Sequence, residues 1–160
     1  MSANVNAKIV ANAPREAVWK VLADFSNIAD YTDSVKTSVS TSEATTGSEA
    51  TRHCDLAPFG STEERVTEFV PNERLGVLLY DVKGLPVKES NTVFSLKSLG
   101  EYKTELTMSA SVRAKGGILS GMIGKRLEKR LPKGAKRLVS DLAAAAEKIA
   151  IEVPAERSRE

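Results

Sequence analysis

The chain of 160 residues has one cysteine, one histidine and no long apolar run. A single cysteine, Cys54, excludes an internal disulfide and a cysteine-rich zinc site, and it favours a reducing compartment such as the cytoplasm. No apolar run approaches the roughly 18 to 20 residues that cross a membrane. Residues 1–8 also lack the basic start and apolar run of a signal peptide. We therefore expect a cytoplasmic protein.

The familiar motifs of cofactor chemistry are missing as well. No glycine-rich phosphate loop, metal-ligand spacing or G-x-S-x-G motif occurs in the sequence. The net charge of +2 is too small to indicate a nucleic acid or an anionic membrane by itself. No cofactor and no metal are therefore expected.

The length and the 41% hydrophobic content are sufficient for one domain with its own core. We place this domain at residues 1–153. Residues 154–160 are polar and without periodicity, which predicts a disordered tail.

The first part of the chain predicts one strand followed by two short helices. Residues 5–10 form the strand, and Pro14 suits the first position of a helix that runs to about Ala23. Apolar residues recur on one face of this helix. Ile28 and Tyr31, three residues apart, indicate a second short helix within residues 24–33.

From Val35 to Arg113 the apolar period changes to two, and turn residues recur at intervals. This pattern predicts five or six consecutive antiparallel strands. The clearest one has Leu106, Met108 and Ala110 on one face, alternating with polar residues on the other. Its apolar face needs a cover.

A long C-terminal helix supplies that cover. An apolar stripe at helical spacing begins at Ile118 and ends at Ile149. Pro132 lies inside it, and an interior proline costs about 3 kcal/mol. We therefore expect either a bent helix or two helices in line, giving an α+β fold in which the helix grips the sheet.

Several local sequences resemble the START-like superfamily, also called SRPBCC, and in particular its polyketide cyclase/dehydrase branch. The resemblance extends over residues 3–150. It is carried by the first helix with its proline and Val18-Trp19, the stretch from Gly47 to Cys54, the turn at Pro71-Asn72, and the hairpin Gly84-Leu85-Pro86-Val87.

The resemblance implies a helix-grip fold, in which a curved antiparallel sheet of six to seven strands wraps around the C-terminal helix. It further implies an elongated cavity for a lipid, polyketide or other apolar molecule. Strand alternation and the helix stripe then provide apolar candidates for its lining, although each could equally be ordinary core: Phe94, Leu106, Met108, Ala110, Met122, Ile123, Leu138 and Leu142.

Tyr31 and Tyr80 are the polar candidates for this cavity, because a tyrosine offers a ring to the wall and a hydroxyl to a ligand. Alternation predicts that His53 points outward and that Cys54 is a buried, inert thiol. Four charged residues lie on strands where a buried charge would have to be paired, so they are expected to form a cross-strand network and not a site: Arg52, Glu64, Arg65 and Glu68.

The strongest local bias in amino-acid composition is a basic segment, residues 125–137, in which Glu128 is the only acid. A solvated helix face is the ordinary explanation. The functional alternative is peripheral contact with an anionic membrane. Nucleic acid is not expected, because the segment has no aromatic residues for stacking. Its basic residues are Lys125, Arg126, Lys129, Arg130, Lys133, Lys136 and Arg137.

Three hypotheses for function remain open at this point. The first is a protein that binds a hydrophobic small molecule without chemistry. The second is a cyclase or dehydratase that polarises a substrate carbonyl with tyrosine or arginine, although no catalytic residue can be assigned. The third is a membrane-surface lipid or quinone handler. Both a monomer and a dimer are compatible with the sequence.

Overall fold

The computed structural model describes residues 2–115 and 122–157, with side chains described for 3–115 and 125–152. In this part of the chain a strand is followed by two helices, six strands and a long helix, as predicted. The elements are β1 Ser2–Ala11, α1 Arg15–Ala23, a 3₁₀ helix Phe25–Asp30, β2 Val35–Ser40, β3 Thr51–Leu56, β4 Ser61–Val70, β5 Arg74–Lys83, β6 Val87–Gly100, β7 Lys103–Ala114 and α2 Met122–Arg157.

The strands form one curved antiparallel sheet of seven in the order β1-β7-β6-β5-β4-β3-β2. Strands β2 to β7 therefore lie beside their neighbours in sequence. The first strand instead pairs with the last, from Ser2 opposite Arg113 to Ala11 opposite Thr104. The predicted α+β helix-grip fold is confirmed.

Two of the predicted turns contact each other. Gly60, between β3 and β4, and Gly84, between β5 and β6, both have positive φ, at 98° and 81°. A Cβ atom on Gly84 would lie 3.0 Å from the Gly60 Cα atom. Glycine is required at both positions, because a side chain would be strained in this conformation and would separate the two turns.

One face of the sheet, which we call the inner face, carries the apolar core. The register places Val5, Ala110, Thr92 and Val77 side by side across β1, β7, β6 and β5. Residues directly opposite each other in paired strands point to the same face. All four are buried, so the core extends across the sheet.

Helices α1 and α2 cover this face. The ring of Trp19 in α1 meets that of Phe69 in β4 edge to face, with centroids 5.1 Å apart. Helix α2 packs on β1 and α1. Its C-terminal half is tied to the chain after β1, where the Asn12 amide donates to the Glu147 carboxylate at 2.8 Å. Since α2 follows β7, it runs back across the sheet.

The structure differs from the prediction in several details of the elements. Strand β1 is longer than residues 5–10, and α1 begins at Arg15, so Pro14 only precedes it. The second helix is of the 3₁₀ type. Helix α2 continues through Pro132 as one element, which excludes two separate helices, because its apolar residues on both sides pack on the same surface. It also extends to Arg157, into the predicted tail.

Candidate functional site

The apolar candidates from β6 and β7 lie together on the inner face. Phe94 is opposite Met108, and Thr92 is opposite Ala110. Phe94 and Ala110 are buried, whereas Met108 is only half-buried. The side chains of Met122 and Ile123, which were predicted to face the same space, lie outside the described residues.

Two of the predicted lining residues are fully buried. Leu106 in β7 and Leu142 in α2 both have 0% exposure. Both are packed against protein neighbours in this structure, and their contact with a ligand stays a prediction. Leu138, one turn before Leu142, is half-buried. Helical spacing alone could not separate these neighbours, because both belong to the same stripe.

A set of apolar side chains packs against the core but keeps part of its surface accessible. Four of these residues lie on the inward stripe of α2 or on the inner face of the sheet. A close-packed interior would bury them completely. These four side chains therefore keep some accessible apolar surface; they are Leu79, Met108, Leu131 and Leu138.

Two buried hydroxyl groups interrupt the apolar surface of the inner face. Ser90 and Thr92 in β6 are only 6% and 5% exposed. Their oxygens lie 3.4 Å apart, which is the one side-chain hydrogen bond that either residue makes within the described part of the chain. Two hydroxyls carry two O–H donors, and this contact can use one. The other hydroxyl hydrogen has no acceptor within the described part of the chain.

Sequence reasoning did not select Ser90 and Thr92, although a signal was present. They precede Phe94 at steps of two residues, so alternation places all three on one face. Their register partners on β5 and β7 are apolar, with Leu79 and Val112 on either side of Ser90.

A buried ion pair crosses β3 and β4 on the same face. The Arg52 guanidinium donates to the Glu64 carboxylate from Nε at 3.0 Å and to the carbonyl of Phe25 from Nη1 at 2.5 Å. It also lies 3.9 Å from the centroid of the Phe25 ring. The second Glu64 oxygen accepts from the Thr62 hydroxyl at 2.6 Å. The pair thus joins the 3₁₀ helix to the sheet.

Of the four strand charges expected to form a network, Arg52 and Glu64 pair with each other, whereas Arg65 and Glu68 each meet a different residue. Arg74 pairs with Glu68 at the surface, at 2.7 Å. Arg65 approaches Glu49 only to 3.9 Å. Of these pairs only Arg52–Glu64 is buried.

Tyr31 is half-buried and packs against the core. Its hydroxyl donates to the Asp24 carboxylate. Burial, and then this hydrogen bond, raise the pKa of Tyr31 to about 12. The phenol therefore stays protonated near neutral pH and can serve as a donor but not as a base.

Tyr80 lies on the opposite face from the proposed cavity. It pairs with Glu63, whose carboxylate contacts His53, and it is half-buried outside the core cluster. The bulge after Tyr80 hides this in the sequence, because Val82 is buried two residues later. The prediction that Tyr80 lines the cavity is therefore wrong.

His53 points away from the inner face, as predicted. Its Nδ1 lies 2.5 Å from Glu63 and its Nε2 lies 3.1 Å from Asp55. A surface hollow of about 270 Å³ adjoins it, lined by His53, Ser61, Glu63, Asp81, Val82 and Lys83. In the described part of the chain no three His, Cys, Asp or Glu side chains are placed to hold a metal ion.

The contacts of His53 predict that its contribution to stability decreases with increasing pH. Hydrogen bonds to Glu63 and then Asp55 raise its pKa above the ordinary 6.5. The folded protein therefore holds this proton more tightly than the unfolded chain. The stabilisation is complete below pH 6.5 and is lost as the pH rises through the raised pKa.

Thermal unfolding of the wild type and His53→Gln from mildly acidic to mildly alkaline pH would measure this effect. The difference in Tm should be largest at the acidic end and should narrow as the pH rises. A difference that does not change with pH would contradict the assignment.

Cys54 is buried, as predicted. Burial, and then the nearby Glu64 carboxylate, raise the pKa of its thiol to about 12. A thiol with so high a pKa is a poor nucleophile at neutral pH. We therefore assign Cys54 to the core.

The basic segment 125–137 forms an exposed surface of α2. Each of its seven Lys and Arg side chains is exposed. Within the described residues none of them forms an ion pair with an acid. Among the described residues, no helix combines the length and the apolar character that crossing a membrane requires.

Comparison with known proteins places the chain in a family. The profile of the family described as polyketide cyclase / dehydrase and lipid transport matches residues 2–147. No curated protein matches the sequence.

Solved structures share the fold at low sequence identity. A START superfamily protein from Mycobacterium smegmatis has a TM-score of 0.70 at 17% identity, with 94% of this chain and 98% of that chain covered. The protein XoxI from Bacillus cereus has a TM-score of 0.69 at 14% identity, with 95% and 98% covered. A protein from Thermus thermophilus has a TM-score of 0.78 at 14% identity, with 92% and 99% covered.

Proposed function

Because the chain belongs to the polyketide cyclase/dehydrase and lipid transport family of START-like proteins, we propose that it binds a hydrophobic small molecule between the inner face of the sheet and α2. The observation that carries this proposal is the set of half-buried apolar side chains on these two surfaces. Binding sites for small molecules combine a mainly apolar lining with a few polar groups.

The free hydroxyl donor of the Ser90–Thr92 pair narrows the chemistry of the ligand. An isolated buried donor costs free energy unless a partner accepts its hydrogen. An apolar ligand that carries an acceptor, such as a ketone, ester or quinone oxygen, would satisfy it. We therefore propose a carbonyl-bearing lipophile in preference to a plain hydrocarbon.

Binding is favoured over catalysis by the state of the ionisable groups. A cyclase or dehydratase needs an acid or base within reach of its substrate. Among the described residues, the charged pair on the inner face of β3 and β4 is Arg52 and Glu64, and both Glu64 oxygens already accept hydrogen bonds. Tyr31 is held by Asp24. A reaction would first have to break one of these contacts.

Native mass spectrometry of protein purified gently from its own host is the first test, with extraction of any co-purified molecule. We expect about one lipophile per chain. Intact recovery supports binding, whereas a cyclised or dehydrated product supports the enzyme. Absence of a ligand, together with no binding of apolar dyes, would contradict the proposal.

The carbonyl preference can be tested with a long-chain ketone and the alkane of equal length. Thr92→Val removes a hydroxyl with little change of shape, and it should reduce ketone affinity by about two- to tenfold without affecting the alkane. Thr107→Val on the other face of β7 is the matched control. Equal effects on both probes would show that the hydroxyl pair does not contact the ligand.

A further inference from the structure

One end of the molecule brings together three segments that are distant in sequence. The turn at residues 57–60 touches the hairpin at residues 84–86. A Cβ atom on Gly84 would lie 3.9 Å from the Phe59 ring. The end of β7 joins the same hairpin, since the Lys115 amide donates to the Pro86 carbonyl at 3.2 Å. We call this the turn end of the molecule.

The basic segment reaches the same end. Residue 147 of α2 lies beside Asn12, next to Ala11, which pairs with Thr104 in β7. From residue 147 back to Lys125 the helix rises by about 33 Å at 1.5 Å per residue. From Thr104 to Ala114 strand β7 extends by about 33 Å at its usual rise. Lys125 therefore lies level with Ala114, at the turn end.

Positive charge from other elements adds to the basic segment there. Lys83 and Lys88 are exposed on the strands that flank the hairpin. Lys36 donates to the Pro58 carbonyl at 2.9 Å and Lys115 to the Val82 carbonyl at 2.8 Å. The nearby acids are Asp55, Glu63, Asp81 and Glu89, of which Asp55 and Glu63 contact His53 and Glu89 contacts Arg113. These four acids are outnumbered by the four lysines together with the basic segment.

An aromatic side chain projects from this basic surface. Phe59, at the tip of the turn between β3 and β4, is 54% exposed. Basic residues together with an exposed aromatic are typical of proteins that lie on the interface of an anionic bilayer, where the cations meet lipid phosphates and the ring enters the headgroup region. The charge and the ring are independent observations that point to the same partner.

We propose that the turn end docks on an anionic lipid bilayer, with the basic segment on the headgroups and Phe59 in the interface. Nucleic acid fits less well, because single-strand binders place several aromatic residues in a basic groove, whereas Phe59 stands alone on a projecting turn. The docking does not depend on a ligand in the interior, so it goes beyond the proposed function. Both would act together if the ligand is exchanged with the bilayer.

Co-sedimentation with vesicles of phosphatidylcholine alone, or mixed with phosphatidylglycerol, tests this docking. The protein should bind the anionic vesicles, and added salt should weaken binding. The triple variant Lys125→Gln, Lys129→Gln, Lys133→Gln should bind more weakly by about fivefold per charge removed. Lys97→Gln, Lys103→Gln, Lys148→Gln removes three exposed lysines from the opposite end and should leave binding unchanged.

The aromatic contribution has its own matched pair. Phe59→Ser should weaken vesicle binding by a factor that stays the same at low and high salt, because the lost contact is apolar. Tyr102→Ser, which changes a 57% exposed aromatic at the opposite end, should leave vesicle binding unchanged. Equal losses in both triple variants would indicate nonspecific attraction and overturn the proposal. Binding to nucleic acid in preference to anionic vesicles would also overturn it.

Discussion

Replacing Glu64 with leucine should lower the free energy of unfolding by about 3 to 5 kcal/mol. The variant leaves the Arg52 guanidinium buried without its carboxylate, and the Thr62 hydroxyl loses its acceptor. An uncompensated buried charge is costly because the interior cannot replace the water that solvates it. The Phe25 carbonyl and ring still contact Arg52 but carry no negative charge.

Denaturant unfolding monitored by circular dichroism measures this effect. Glu68→Leu is the matched control, since Glu68 pairs with Arg74 at the surface, and an exposed pair contributes about 1 kcal/mol or less. The double variant Arg52→Met, Glu64→Leu should recover most of the loss, because no charge then remains buried. A single variant as stable as the control would show that Arg52 can reach water.

The pair also has a structural consequence for the proposed binding site. Arg52 ties the 3₁₀ helix to β3, and that helix precedes Tyr31 and Thr32 in the chain. The Thr32 hydroxyl donates to Asp141 in α2 at 2.7 Å. Sheet, 3₁₀ helix and α2 are therefore connected through polar contacts at one side of the inner face. We expect the Glu64 variant to loosen that side as well.

Leu142→Ala should cost about 2 to 5 kcal/mol of stability. Leu142 is 0% exposed and lies among Val139, Ala143 and Ala146, all buried on the same helix face. Truncation removes apolar contacts and leaves a void in close-packed surroundings that relax only partly. Urea or guanidinium unfolding would measure the change.

Leu138→Ala provides the comparison one helical turn away. Because Leu138 is half-buried, its truncation should cost clearly less stability than that of Leu142 and should instead reduce binding of an apolar dye or lipophile. The two variants thus separate core from proposed ligand contact within one stripe. If Leu138→Ala costs as much stability as Leu142→Ala and leaves dye binding intact, the space beside Leu138 is filled core.

The order of elements was predictable because it depends on local signals. Period two in β7, turn residues such as Gly60 and Gly84, and the stripe of α2 each reflect contacts repeated along one element. The boundaries of the elements were harder to predict, because the point at which a helix ends depends on tertiary packing and not on local signals alone. Helix α2 continues through Pro132 because tertiary contacts on both sides outweigh the local cost of proline.

The residues of the candidate site were harder to predict, because the face on which a residue lies depends on pairing and bulges between strands. Alternation placed Phe94, Met108 and Ala110 on one face, and they do share it. Tyr80 was selected for its residue type alone. The bulge beside Asp81 exchanges the two faces between Tyr80 and Val82, so Tyr80 points outward although Val82 is buried.

By itself the sequence determined the fold class, the outward position of His53, the buried thiol of Cys54 and the basic character of α2. Each of these follows from residue type and spacing along one element. Only the tertiary structure decided which residues of the stripe are fully buried, that Arg52 and Glu64 are buried together, and that the turn carrying Phe59 meets the hairpin at Gly84. These properties depend on segments distant in the sequence, whose mutual approach is set by packing of the whole domain.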